Sequence, residues 1–181
     1  MIRPVSTVAV LCLSACTTPS GTGAIDTDKL CRGESGFGAR IQGLVAPIDM
    51  CVPEVNILTT LGQIDPNRYC VTASYTEDNL TIEVEMSFIM QTMLPRKMHP
   101  TSDQLTGFLD AAGVWFQYRE TRPGFSPLRS DSVSGNFTLT FSDSTVVVAT
   151  FENMYVGLVD TMGQTSVRTI ENGFLSVIPD I

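Results

Sequence analysis

The alternation of apolar and polar side chains over residues 69–90 is too regular for a helix, and it constrains the fold more than any other feature of the chain. In YCVTASYT (69–76), Tyr69, Val71, Ala73 and Tyr75 fall on one face of an extended chain, opposite Cys70 and polar residues. In LTIEVEMSFIM (80–90), Leu80, Ile82, Val84, Met86, Phe88 and Met90 share one face, and Thr81, Glu83, Glu85 and Ser87 the other. A period of two with one apolar face marks antiparallel strands that cover a core on one side and meet water on the other. Polar Glu77-Asp78-Asn79 separates the two runs, which are predicted to pair as a hairpin.

The same period recurs downstream. VSGNFTLTF (133–141) sets Phe137, Leu139 and Phe141 against Asn136, Thr138 and Thr140. After a turn around Asp143-Ser144, TVVVATF (145–151) is β-branched and nearly continuous, which predicts a strand covered on both faces. SVRTI and FLSVI flank Glu171-Asn172-Gly173, where Asn-Gly predicts a tight hairpin because both residues tolerate positive φ. Weaker strand patterns lie at 37–46, 54–60 and 114–119. One helix is predicted over TSDQLTGFLDAAG (101–113), with a capping box of Thr101 and Gln104 and Gly113 as its C-terminal cap. No internal repeat interrupts the pattern. The expected fold is mainly β: an antiparallel β-sandwich or barrel of about eight strands with one short α-helix.

The N-terminus speaks to address. Arg3 precedes a short apolar run, Val5 to Leu13, free of acidic residues and too short to span a bilayer. Leu13, Ser14 and Ala15 then precede Cys16, a pattern that resembles the bacterial lipobox. Cys12 does not fit it, because Leu11 is too large for the position before the cut. The resemblance implies cleavage before Cys16, a diacylglycerol thioether on its sulfur and an acylated new N-terminus, so that more than one acyl chain holds the protein to a membrane. Thr17 stands where Asp would signal retention in the inner membrane, so the resemblance implies the outer membrane. TTPSGTGAIDTD (17–28) has little to bury and reads as a flexible tether. The expected organisation is a lipoprotein signal peptide over 1–15, a lipidated N-terminus and tether over 16–30, and a single β-rich domain over 31–181.

Removal of residues 1–15 leaves 166 residues, about one domain, with ten cations against nineteen acids and a net charge of −9. That balance argues against a nucleic-acid partner. Cys31, Cys51 and Cys70 remain beside Cys16, too evenly spread for a zinc site. In an oxidising compartment one disulfide is expected among three pairings. Cys51–Cys70, which would close one short segment, is the pairing expected here, with one thiol left over.

GNFTLTFSDSTVVVATFEN, followed by SVRTIENGFLSVI, resembles the closing strands of a group of uncharacterised bacterial β-sandwich lipoproteins. The residues that carry the likeness are Ala149, Thr150 and Phe151, then Asn172, Gly173 and Leu175, with FGARIQG near residue 40 as an opening strand of the same kind. The resemblance implies a sandwich and brings no catalytic residues.

Little in the chain points to catalysis. His99 is the single histidine, so any Ser-His-Asp or Cys-His arrangement must use it, yet it lies between two prolines in LPRKMHP and reads as an exposed loop residue. GESGFG (33–38) lacks the Lys-Ser/Thr of a phosphate loop. Met86, Met90, Met93 and Met98 with His99 offer soft ligands for Cu(I), but the strand period divides them between faces and methionine commonly fills cores. Glu83 and Glu85 lie about 7 Å apart by strand rise, as expected for a solvated face. No catalytic residue, metal or cofactor is therefore assigned.

Charge is uneven along the chain. Residues 96–129 carry a net +2, concentrated in LPRKMHPT and ETRPGFSPLRSD, against −11 for the rest of the chain beyond residue 15. Loops on a rigid scaffold are where binding resides. Arg96, Lys97, Arg119, Arg122 and Arg129, with Phe125, are the expected contacts for an anionic envelope protein, glycan or lipid. The expected function is a membrane-anchored, non-enzymatic binding or structural module of the cell envelope. The alternative is a calycin-like carrier of a small apolar ligand, its interior lined by Phe88, Phe137, Phe141 and Phe151.

Overall fold

The computed structural model describes residues 35–61, 68–90, 94–103, 107, 112–142 and 146–178. Cys16, the tether, Met93 and the turn around Asp143-Ser144 lie outside them, as does most of the helix expected over 101–113.

The described residues are mainly β. Ten strands run in chain order: β1 (Gly36–Gln42), β2 (Ile48–Pro53), β3 (Ile57–Leu61), β4 (Arg68–Glu77), β5 (Leu80–Ile89), β6 (Arg96–Thr101), β7 (Gly113–Thr121), β8 (Leu128–Ser142), β9 (Val147–Val159) and β10 (Thr165–Val177). They form one open mixed sheet in the order β2-β1-β10-β9-β8-β6-β7-β5-β4-β3, with β7 also touching β8. Only β6 and β7 pair in parallel. No helix among the described residues is long and apolar enough to cross a membrane.

The predicted hairpin of residues 69–90 is β4 and β5, joined by Asp78 and Asn79, both with positive φ (46° and 65°). Every inward residue of its alternation from Tyr69 to Ala73 and from Leu80 to Phe88 is buried. In β9, Val147, Ala149 and Phe151 are buried, Val148 is half-buried and Thr150 is exposed, so this strand is covered mainly on one face and not on both.

Two segments depart from the sequence reading. RKMHPT, expected as a loop, is β6. Its first half pairs with β8 (Arg96↔Leu139 to Met98↔Phe137) and its second half with β7 (His99↔Gly113 to Thr101↔Trp115). Pro100 therefore lies beyond the paired stretch on the β8 side, where its missing N–H does not interrupt that ladder. Asn172-Gly173, expected as a hairpin, lies inside the continuous strand β10. Asn172 (φ 42°), Asn153 of β9 (φ 50°) and Gly135 of β8 (φ 138°) mark irregularities in three neighbouring strands, and the pairing of β1 with β10 shifts register between Gly38 and Arg40. These local bulges form a crease across four strands. At its centre the Phe151 ring covers Gly173, and a Cβ there would overlap the ring.

The predicted helix leaves a trace. Gly107 is helical, its N–H bonded to the Asp103 carbonyl at 2.9 Å, and a Cβ on it would come 2.7 Å from Trp115 Cβ on β7. Thr101 Oγ1 accepts from Asp103 N–H at 3.1 Å, the bond of an N-cap. Gly113 opens β7 and does not cap the helix.

The sheet is open in its hydrogen bonding but curled in space. Its two edge strands, β2 and β3, are consecutive in the chain and joined by a single 3₁₀ turn, Glu54–Asn56. Four residue steps span at most about 14 Å, so the edges must approach each other. A ladder of rings crosses the interior from Phe37 to Phe151 (5.5 Å between centroids), Phe137 (6.2 Å), Phe88 (5.8 Å) and Tyr69 (6.2 Å). Phe88 on β5 and Phe137 on β8 meet although β6 and β7 lie between their strands.

Strand directions gather the loops at one end. The connections 43–47, 78–79, 122–127 and 160–164 all lie where β1, β4, β7 and β9 finish. The described chain ends lie at the opposite end, where Glu54 N–H bonds to the Ser35 carbonyl at 3.2 Å and the Glu54 carboxylate accepts from Ile178 N–H.

Candidate functional site at the loop end

The loop end holds two adjoining clefts of about 540 and 560 Å³ that share Leu44, Val45, Arg122 and Phe125. The floor of the first is a buried charge network. The alternation in VWFQYRE puts Glu120 on the same inward face as Phe116 and Tyr118, and Arg168 of β10 alternates with inward Ile170. Arg168 Nε donates to Glu120 Oε1 at 2.6 Å and Nη2 to Oε2 at 2.9 Å. Their side chains are only 9% and 4% exposed. Nη1 donates to the carbonyls of Gly43 and Val167, both at 3.0 Å, and the Tyr118 hydroxyl donates to Glu120 Oε1 at 2.9 Å.

The network is closed and bidentate, the strongest form of such a pair. Burial, then the charge and hydrogen bond of Glu120, push the Tyr118 phenol well above its usual range and keep it a donor. Burial opposes the charge on Arg168, but the hydrogen bond and charge of Glu120 outweigh it and raise the guanidinium. The network ties β7 and β10 to the start of the 43–47 loop through Gly43, whose carbonyl accepts from Arg168.

The loops above are internally fixed. Arg122-Pro123-Gly124-Phe125 closes a turn through Phe125 N–H to the Arg122 carbonyl (3.2 Å), with Gly124 at φ 79°. Proline followed by a positive-φ glycine is the signature of a type II turn. Asp160 Oδ1 accepts from the N–H groups of Met162 and Gln164, both at 2.8 Å. Thr161 Oγ1 donates to Ser126 Oγ at 3.0 Å and joins the two loops. From this frame Val45 (103% exposed), Phe125 (75%) and Met162 (75%) project into solvent.

The six residues expected to form one basic surface do not converge. Arg122 and Phe125 line the clefts. Arg119 and Arg129 face each other across β7 and β8, and Arg119 pairs with Glu83 at 3.7 Å. Arg96 and Lys97 stand on β6 opposite Leu139 and Thr138, about 30 Å from Arg129 by strand rise along β8. Nearness in sequence misled because β6 is a strand that carries its cations to the far end.

Cys51–Cys70 is also corrected. Cys51 is disulfide-bonded, but Cys70 is a free, half-buried thiol whose Sγ lies 3.4 Å from Ser87 Oγ. Cys51 sits on β2 and Cys70 on β4, and the partner of Cys51 lies outside the described residues.

His99 is exposed, as expected, but on β6 and not in a loop, and the strand period turns it away from buried Met98. Met86 is buried and Met90 packs against the core. No group of three metal-ligating side chains occurs among the described residues. Glu83 and Glu85 are half-buried instead of freely solvated. Burial first, then the charge of Glu83, raises the Glu85 carboxyl, with Arg119 opposing. Phe88, Phe137 and Phe151 are fully buried against one another and fill the interior; the Phe141 side chain lies outside the description.

Sequence reasoning missed Glu120, Arg168, Val45 and Met162. The first two carried a signal: each is a charge at a core-facing position of an alternating strand, which demands a buried partner. No family model, curated protein or solved structure matches the chain.

Proposed function

We propose that the protein is a lipid-anchored, non-enzymatic binding module of the bacterial envelope, held at Cys16 and engaging its partner through the loop end. The observation that carries this reading is the gathering of three exposed apolar tips, Val45, Phe125 and Met162, at the end opposite both described chain ends. Exposed apolar groups clustered in this way mark interaction sites. The buried polar groups beneath them, Tyr118, Glu120 and Arg168, satisfy one another, which supports a binding surface. On this reading the curled sheet acts as a sandwich-like scaffold that displays loops. The packed aromatic ladder supports a solid core over a carrier's lumen.

Cross-linking in intact cells tests the binding role. Phe125→Asp with Met162→Asp is expected to remove the cross-linked species, whereas Arg96→Glu with Lys97→Glu leaves it. Loss with the second pair alone would move the surface to β6. Labelled palmitate tests the anchor separately: incorporation that persists after Cys16→Ala contradicts it.

A further inference from the structure

We infer that the loop end accepts a protein segment that presents apolar side chains flanked by basic ones. The inference rests on the binding role proposed above and replaces the anionic partner that the arginines had promised. Of the charged residues lining the two clefts, four are acids (Glu77, Asp78, Glu120, Asp160) and two are arginines (Arg122, Arg168), a net of −2. Glu120 and Arg168 neutralise each other, and the Asp160 carboxylate holds its own loop. Glu77 and Asp78 are left as the exposed charges of the second cleft beside Arg122.

Apolar contact comes from Val45, Phe125 and Met162, with Leu44 and Pro47 between them. The loops are already fixed by the Pro-Gly turn, the Asp160 cap and the Arg168 bond to Gly43, so little ordering opposes binding. The position of the chain ends argues for protein over the anchoring membrane. Eighteen residues lie between Cys16 and Ser35, and as the flexible tether that their sequence suggests they would average about 23 Å end to end. β9 and β10, of thirteen residues each, extend about 40 Å away from the entry point. On the anchored reading proposed above, the loop end lies opposite the end at which the chain enters the domain.

The test uses the full chain carrying Cys16→Ser, so that no acyl group contributes, and two labelled helical peptides of one pattern, Leu with Lys and Leu with Glu. Fluorescence anisotropy is expected to show the Lys peptide binding at least tenfold tighter. Phe125→Asp with Met162→Asp, or Glu77→Lys with Asp78→Lys, should each weaken it tenfold or more. Glu152→Lys with Glu171→Lys, an equal charge change away from the loop end, should leave it within twofold. Equal weakening by that control, or equal affinity for the two peptides, would overturn the inference, as would loop-dependent flotation with phosphatidylcholine vesicles. Thermal melts of each variant separate lost binding from lost folding. Failure of palmitate labelling would remove the anchor but leave this result standing.

Discussion

At the scale of single residues, Glu120 and Arg168 matter most. Removing one partner of a buried ion pair leaves an uncompensated charge, which costs about 3–5 kcal/mol. Glu120→Ala is therefore expected to lower stability by that amount in urea denaturation, and replacing both residues, Glu120→Leu with Arg168→Met, to recover most of it. A double variant no more stable than the single one would show that the network does more than neutralise itself. Glu85 makes a second prediction. Its raised carboxyl means that the folded chain holds this proton more tightly than the unfolded chain. The resulting stability is present below the ordinary glutamate range and is lost as pH rises through the higher folded value. Glu85→Gln should raise the melting temperature at pH 7 and leave it unchanged near about pH 3, where both states are protonated. Both buried charges were legible in the alternation of β7 and β10. Their pairing was not, because it joins residues separated by 48 positions.

At the scale of elements, local pattern was informative where partners are local. The β4–β5 hairpin is readable because its alternation and its turn occupy adjacent residues. β6 was hidden because its short pairing is divided between two strands and because Pro95 before it and Pro100 within it resemble those of a loop. Asn172-Gly173 was misread for a related reason: a tight hairpin and a bulge both require positive φ, and the same residues supply it. What selects the bulge is the Phe151 ring over Gly173, a contact from another strand. Gly173→Ala should accordingly cost about 1–3 kcal/mol through overpacking. Asn172→Val should cost about 1–2 kcal/mol, the strain of a left-handed backbone on an ordinary side chain. If both changes were neutral by denaturation, the crease would not depend on these residues.

At the scale of the whole molecule, alternation implied a mainly β chain and left a packed sandwich and a hollow barrel both open. It did not imply the curl that brings consecutive strands β2 and β3 to the two edges of one sheet. Nor did it indicate which loops share an end. Charge along the chain grouped residues 96–129, but strand direction separates Arg96 and Lys97 from Arg122 and Phe125. The loop end emerges only once register is known, and the proposed role of the protein depends on it. Photo-cross-linking residues placed singly at positions 45, 125 and 162, and at the exposed His99 position near the other end, test that claim most directly in intact cells. The three loop positions are predicted to yield a common cross-linked species that position 99 does not. Capture of the same species from position 99, with nothing from the loop tips, would contradict the account.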